Sequence, residues 1–329
     1  MLKYPSNIIW LSRFKWKAFV LGVALYVSVF TVWAAFFSPP QIHFFSFENK
    51  YLLSFQIWDK KSILFPSDDH RLSYAQYGNL TFSQYVYRHK DLISNSILKR
   101  HSWGDCKRIY RLIRRYIPHP KPGMVFADIG ANIGSCSLVA LAMNFTTIAF
   151  EPLPTNLHIF TRSIFANPAF LPKVTLYPIA LGNTETTVTF KFKYDNLGSS
   201  SILDGFDGIH NPNFHVREST LSHIFQNFNK TIEFMKIDVE GYEPYVIEGG
   251  ENLLKNHQVK IIYYERTCHT REIDPNIFQK MDYLFEKYNY ISSNTTCRGN
   301  TGYFNVLVIS DEYLKANKIH FKKSRSNYM

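Results

Sequence analysis

The sequence predicts a doubly wound α/β fold, a mostly parallel sheet with helices on both faces, and three observations carry that expectation. Apolar, strand-like runs recur at 124–129, 147–150, 173–180, 232–239, 259–265 and 303–309. Helical stretches fall between them at 135–143, 154–166, 244–256 and 277–288, the alternation that βαβ units produce. Three runs also end in acid followed by glycine or proline: V-F-A-D-I-G-A-N-I-G (Val125–Gly134), I-A-F-E-P (Ile148–Pro152) and M-K-I-D-V-E-G (Met235–Gly241). In open parallel sheets the carboxyl ends of the strands deliver such residues to a ligand crevice.

The chain begins with a basic tail, residues 1–17, that carries Lys3, Arg13, Lys15 and Lys17. Ala18–Phe37 follows without a charge; roughly 20 apolar residues suffice to cross a hydrocarbon core as a helix. Trp10, Trp16 and Trp33 stand at interfacial depth, and the positive-inside rule leaves the tail in the cytosol and the rest beyond the membrane. The expectation is a type II signal anchor with a lumenal ER or Golgi domain. A cleaved signal peptide ending at Val32-Trp33-Ala34 is the rival, but the apolar stretch exceeds the roughly 7–15 residues of such peptides.

Ser38-Pro39-Pro40 closes the apolar run. Residues 38–100 read as a stem or N-terminal cap, 101–312 as the main domain, and 313–329 as a basic tail. The net charge of +11 is uneven: between Arg88 and Arg115, nine Lys or Arg oppose only Asp91 and Asp105. Within that cluster Ile109, Leu112, Ile113, Tyr116 and Ile117 recur at helical spacing. The segment reads as an amphipathic helix packed on the main domain, its basic face either simply solvated or drawn to an anionic glycan or lipid surface. Nucleic acid is the partner least suited to a lumenal domain.

Gly130 and Gly134 bracket a strand-to-helix turn, where glycine lets the backbone bend tightly and a ligand come close. Glu151 ends the next apolar run, about 20 residues on, where an acid can accept hydrogen bonds from ribose hydroxyls. The dinucleotide pattern G-x-G-x-x-G is absent, and Asp128 sits just before the loop. A carboxylate there repels a diphosphate but tolerates a sulfonium, so S-adenosylmethionine fits better than NAD. Lys236, Asp238 and Glu240 interrupt an otherwise apolar run, and period-two alternation puts them on one side. If that strand lies beside the Asp128 strand, their charged groups gather at the topological switch point.

DIGANIG (Asp128–Gly134), FEPLPTN (Phe150–Asn156), IALGN (Ile179–Asn183), GSSSI (Gly198–Ile202) and MKIDVEGYE (Met235–Glu243), in that order, resemble the successive motifs of the FkbM-like methyltransferases. The resemblance spans roughly residues 120–310. It implies a Rossmann-like seven-stranded methyltransferase sheet, here preceded by the transmembrane helix, and S-adenosylmethionine as cofactor. It also implies O-methylation of a hydroxyl, usually on a sugar, glycan or polyketide. By the same resemblance Asp128, Gly130, Asn132, Gly134, Glu151 and Asn156 line the cofactor site, while Asp238 and Glu240 face the reacting methyl.

For the chemistry itself, Asp238 leads as acceptor-facing carboxylate, with Glu240 next; Lys236 is the third catalytic candidate, or simply an ion-pair partner for Asp238. Either acid could take the acceptor's proton, or both could hold a divalent ion that lowers the hydroxyl's pKa, joined by Glu265. His215 and His223 are alternative bases, and Ser199 and Ser200 are expected to bind cofactor or acceptor. A competing reading is a catalytically inactive module that recognises an anionic partner through Arg88–Arg115. Cys136 is expected as a buried small hydrophobe and Cys106 has no evident partner, whereas Cys268 and Cys297 could pair in an oxidising lumen. Four sequons, at Asn79, Asn144, Asn229 and Asn294, suit a lumenal domain, with Asn144 sterically shielded.

Overall fold

The computed structural model describes residues 70–88, 91–193, 196–201, 209–267, 275–293 and 303–321. The apolar run 18–37, Cys268, Cys297, Asn294 and the end of the basic tail lie outside the described residues. Among the described residues no helix is long and apolar enough to cross a membrane.

Strands β1 (His70–Tyr77) and β2 (Leu80–Tyr87) form an antiparallel hairpin closed by Gly78-Asn79. Gly78 has φ +61°, and a Cβ there would lie 2.1 Å from the Tyr110 hydroxyl, so both conformation and packing demand glycine. This part of the expected stem or cap carries its own hairpin signal, a Gly-Asn turn between two alternating runs. Helix α1 (Leu92–Arg100) is capped by Asp91, whose carboxylate accepts from the Ser94 amide at 2.7 Å. Helix α2 (Gly104–Tyr116) follows and buries Cys106, Ile109, Tyr110, Ile113 and Tyr116. Its opposite face exposes Lys107, Arg108, Arg111, Arg114 and Arg115, the amphipathic helix expected from the spacing.

The central sheet then begins with β3 (Val125–Ile129), helix α3 (Ser135–Ala142), β4 (Thr146–Phe150), helix α4 (Pro154–Phe165) and β5 (Val174–Tyr177). Pro178 follows, and the run read as one strand to residue 180 divides: β6 (Ala180–Gly182) leaves for a second sheet. That sheet continues with β7 (Thr186–Lys193), β8 (Asn196–Ser201) and β9 (Ile209–Thr220) in the order β6-β9-β7-β8. β7 pairs antiparallel with both β8 and β9. Gly198–Ser201, of the GSSSI motif, is part of β8.

After the short helix α5 (Leu221–Ile224) come β10 (Ile232–Ile237), helices α6 (Glu243–Gly249) and α7 (Glu251–Lys255), β11 (Val259–Thr267), helix α8 (Pro275–Lys287), β12 (Tyr290–Ser292), β13 (Tyr303–Ser310) and α9 (Asp311–Ala316). The single helix expected over 244–256 is broken at Gly249-Gly250. A Cβ on Gly249 would sit 1.9 Å from the Gly182 carbonyl oxygen, so the break lets this turn press against the second sheet. Helix α9 buries Leu314, which carries the folded unit past residue 312.

The main sheet has seven strands in the order β12-β13-β11-β10-β3-β4-β5. Only β13 runs antiparallel to its neighbours. The chain reverses direction across the sheet at β3, which has β4 on one side and β10 on the other. At such a switch point the loops leaving adjacent strands diverge and open a crevice. All five residues of β3 are buried, as a central strand covered on both faces requires.

Candidate active site

The loop after β3 is shaped by two backbone crossings. The Gly130 and Ala131 amides both donate to the Phe150 carbonyl, at 3.0 and 2.9 Å, which ties the loop to the end of β4. Gly130 has φ +75°, and a Cβ there would stand 1.9 Å from the Asp238 carbonyl oxygen. Glycine therefore lets the ends of β3 and β10 approach. Asn132 also takes a positive φ, 53°, a conformation Asn tolerates. Its amide donates to Glu151 Oε2 at 2.7 Å.

Glu151 leaves β4 into a nest of donors. Its Oε1 accepts from the Leu153 amide at 2.8 Å and from Asn156 Nδ2 at 3.2 Å. Asn156 is fixed in turn by the Tyr87 hydroxyl, which donates to Asn156 Oδ1 at 2.8 Å. Burial pushes the Glu151 carboxyl up to about 7, against the lowering effect of these donors. Carboxylate oxygens have more lone pairs than these bonds use, so Glu151 keeps acceptor capacity for hydroxyls.

Lys236 is buried where β10 meets β3, directly opposite Asp128 in register. Its ammonium donates to the Gly130 carbonyl at 2.8 Å and pairs with Asp128 at 3.3 Å and Asp238 at 3.4 Å. Burial disfavours the ammonium, but the two carboxylates outweigh it and raise the Lys236 pKa. Asp128 is fully buried and also accepts from the Ser137 hydroxyl at 2.6 Å. It is thus a strut beneath the loop, joining β3, β10 and α3.

Asp238 is held at the end of β10, where its amide donates to the Ile129 carbonyl at 3.0 Å. Glu240, at φ +56°, turns the chain toward α6. Oxygens of Asp238, Glu240 and Glu265 all lie within 4.8 Å of one another. Burial, reinforced by repulsion from Asp238 and the neighbouring acids, lifts the Glu265 carboxyl to about 9. Behind them Glu243 accepts from the Val239 and Gly241 amides and is raised to about 7, chiefly by burial.

An open cleft of about 810 Å³, mouth included, joins these parts. Of the residues singled out from sequence, Gly130, Asn132, Glu151, Asn156, Lys236, Asp238 and Glu240 line it. Asp128, Gly134 and Glu265 do not. Gly134 opens α3 at φ +79°, and a Cβ would come within 2.0 Å of the Phe160 ring, so it serves helix packing. Neither His215, exposed on β9, nor His223, in the turn capped by Thr220, borders the cleft. Ser199 and Ser200 lie on β8.

Sequence reasoning missed the roof. Trp103 just before α2, Cys106 within it and Cys136 of α3 also line the cleft. Cys106 and Cys136 form a disulfide, which corrects the reading of Cys136 as a lone hydrophobe and of Cys106 as partnerless. Nothing in the sequence pairs them, because the pairing exists only once α2 docks on α3.

Together, a switch-point cleft, a glycine loop, a ribose-type acid and a ring of carboxylates define an α/β nucleoside-binding enzyme. Residues 128–292 match the model of the methyltransferase FkbM domain, and the chain belongs to the FkbM methyltransferase family. That membership implies S-adenosylmethionine as methyl donor. Among solved structures, the chain is similar to methyltransferase FkbM from Methylobacillus flagellatus KT, with 14% identity, TM-score 0.38, and 65% of this chain and 57% of that chain covered. It is also similar to precorrin-6y C5,15-methyltransferase from Geobacter metallireducens GS-15, with 12% identity, TM-score 0.35 and coverage of 62% and 89%. An rRNA methylase from Streptococcus thermophilus shares 8% identity, with TM-score 0.38 and coverage of 63% and 97%. No curated protein matches the chain.

The cleft suits that cofactor. Glu151 lines the cleft with acceptor capacity for ribose hydroxyls beyond its bonds to Asn132, Leu153 and Asn156. Lys236, the buried cation among the residues that line the cleft, is already neutralised by Asp128 and Asp238, leaving a floor that favours a sulfonium over a phosphate.

Proposed function

We propose that the protein is a membrane-anchored O-methyltransferase acting on a hydroxyl of a sugar or glycoconjugate in the secretory pathway. The observation that carries the reading is the joining of Glu151 and Asp238 in one cleft at the switch point. The Cys106–Cys136 disulfide supports a lumenal domain, since such bonds persist in oxidising compartments. The uncharged run Ala18–Phe37 supports the anchor.

When bound, S-adenosylmethionine supplies an electrophilic methyl group. Gly130, Asn132, Glu151 and Asn156 hold its nucleoside, and Lys236 fixes Asp238 by pairing with it from below. Asp238, partly exposed in the cleft, orients the acceptor hydroxyl and takes its proton, a role worth roughly 10²–10⁴-fold for a positioned base. Glu240 is the second acceptor for that proton. Asp238, Glu240 and Glu265 also offer the oxygen-only donor set that suits magnesium or calcium. A divalent ion held by them would supply charge against the developing alkoxide.

The test is transfer of labelled methyl groups from S-adenosylmethionine to a panel of neutral and acidic glycans, with and without EDTA. Expected is an ether-linked methyl on a sugar hydroxyl, with transfer falling about 10²-fold or more in Asp238→Asn. Methylation of nitrogen or carbon instead would contradict the O-transfer reading. Full activity in EDTA would remove the metal from it.

A further inference from the structure

The disulfide joins two parts of the chain that bound the cofactor cleft from different sides. Cys136 is the second residue of α3, immediately beyond the loop that carries Gly130 and Asn132. Cys106 lies in the first turn of α2, the helix that forms the cleft's roof. The far end of α2 has its own anchors: Ile109, Ile113 and Tyr116 are buried, and the Tyr313 hydroxyl donates to the Tyr116 carbonyl at 2.9 Å. Its first turn, over the cleft, is held differently. Trp103 provides no side-chain cap, and the polar ties are a 2.9 Å bond from the Trp103 amide to the Tyr77 hydroxyl and a 3.2 Å bond from Asn305 to Asp105. The covalent bond is the firm link between roof and loop.

Both sulfurs lie in a packed setting, Cys106 fully buried and Cys136 nearly so. Two thiols occupy more room than a bonded pair, and interiors of this density have no slack to take up the difference. Reduction therefore displaces the roof, the loop, or both, and a binding site built on backbone placement weakens when its walls are no longer preorganised.

We propose that Cys106–Cys136 is a positioning element of the cofactor site, so that cofactor affinity depends on thiol oxidation and the site is complete only in an oxidising compartment. The proposal rests on the reading that this cleft binds S-adenosylmethionine. In the reaction, one dithiothreitol delivers two electrons and two protons to the S–S bond. Two thiols form, and the reagent closes to its cyclic disulfide.

The experiment uses the full chain and S-adenosylhomocysteine as probe, with affinity measured by calorimetry before and after reduction and folding followed by circular dichroism. Because the reagent also reaches Cys268 and Cys297, Cys106→Ala/Cys136→Ala is measured alongside. Reduction is expected to weaken wild-type binding about tenfold or more, and the double variant to bind weakly and ignore the reductant. Affinity unchanged within about twofold in reduced, folded wild type overturns the proposal. Should reduction unfold the protein, the rate at which a limiting phosphine cleaves this disulfide decides. Saturating ligand should slow cleavage of a bond that lines its site, and an unaltered rate overturns the proposal. Failure of the oxidised protein to bind the probe refutes the parent reading, and this one with it.

Discussion

Lys236 and Asp128 are adjacent in register across β10 and β3, and neither would be tolerated in that interior without the other. Removing one member of a buried pair strands a charge, which costs about 3–5 kcal/mol. Lys236→Met is accordingly expected to destabilise the protein by about that much in urea unfolding, even though Met fills similar volume. Unchanged stability would mean that Asp128 is held neutral by other means. Glu151 behaves differently, because its charge is needed by a ligand. With the free carboxyl raised to about 7, it is protonated at lower pH, and the folded state gains from that proton at acid pH and loses the gain as pH rises through 7. Binding through the ionised form runs the opposite way. Affinity for S-adenosylhomocysteine should strengthen about tenfold per unit as pH climbs toward 7 and then level off. Glu151→Gln should bind weakly at every pH, and a wild-type profile flat from pH 5 to 8 would remove Glu151 from the site.

At the scale of elements, the β1–β2 hairpin is joined to the main domain by side chains rather than by a third strand. The Ser83 amide donates to Asn167 Oδ1 at 3.0 Å, Asn167 Nδ2 donates back to the Ser83 carbonyl at 2.7 Å, and the Tyr85 amide donates to the Ser163 hydroxyl at 2.9 Å. Asn167→Ala should cost about 1–3 kcal/mol and speed amide exchange along β2 selectively. Uniformly faster exchange would show that the hairpin is not a separate cooperative unit. The central strands were legible in sequence because burial on both faces makes them apolar, so the acids at their ends stood out. Adjacency of the Lys236 and Asp128 strands was legible only as a condition, since register is a property of the assembled sheet. It also changed a role, turning Asp128 from a cleft acid into an internal strut. The break after Tyr177 had a local sign in Pro178. The Cys106–Cys136 pair had none, because it depends on the docking of α2, which also brought Trp103 to the cleft.

Across the whole molecule, the exposure of the sequons ties the fold to its compartment. Asn79 lies exposed in the hairpin turn and Asn229 is exposed ahead of β10. Asn144, in contrast, is half-buried and its side-chain oxygen accepts from Lys173 at 2.9 Å. Expression of the full chain in a secretory host should therefore give glycans at Asn79 and Asn229 and leave Asn144 bare, as read by glycosidase shifts in Asn→Gln variants. A full-length chain with no glycan on either exposed site would argue for a cytosolic domain. The disulfide bears on the same question from inside the fold: closing a loop of 30 residues contributes about 3–4 kcal/mol in the chain-entropy model, a gain available only where it can form.

The measurement that bears most directly on the cofactor assignment is calorimetric titration of S-adenosylhomocysteine into oxidised wild type and into Glu151→Ala, with NAD as control. Micromolar binding of the sulfur nucleoside alone, lost in the variant, is the expected result. Folded protein that binds no sulfur nucleoside, or binds it equally well without Glu151, would contradict the assignment of this cleft.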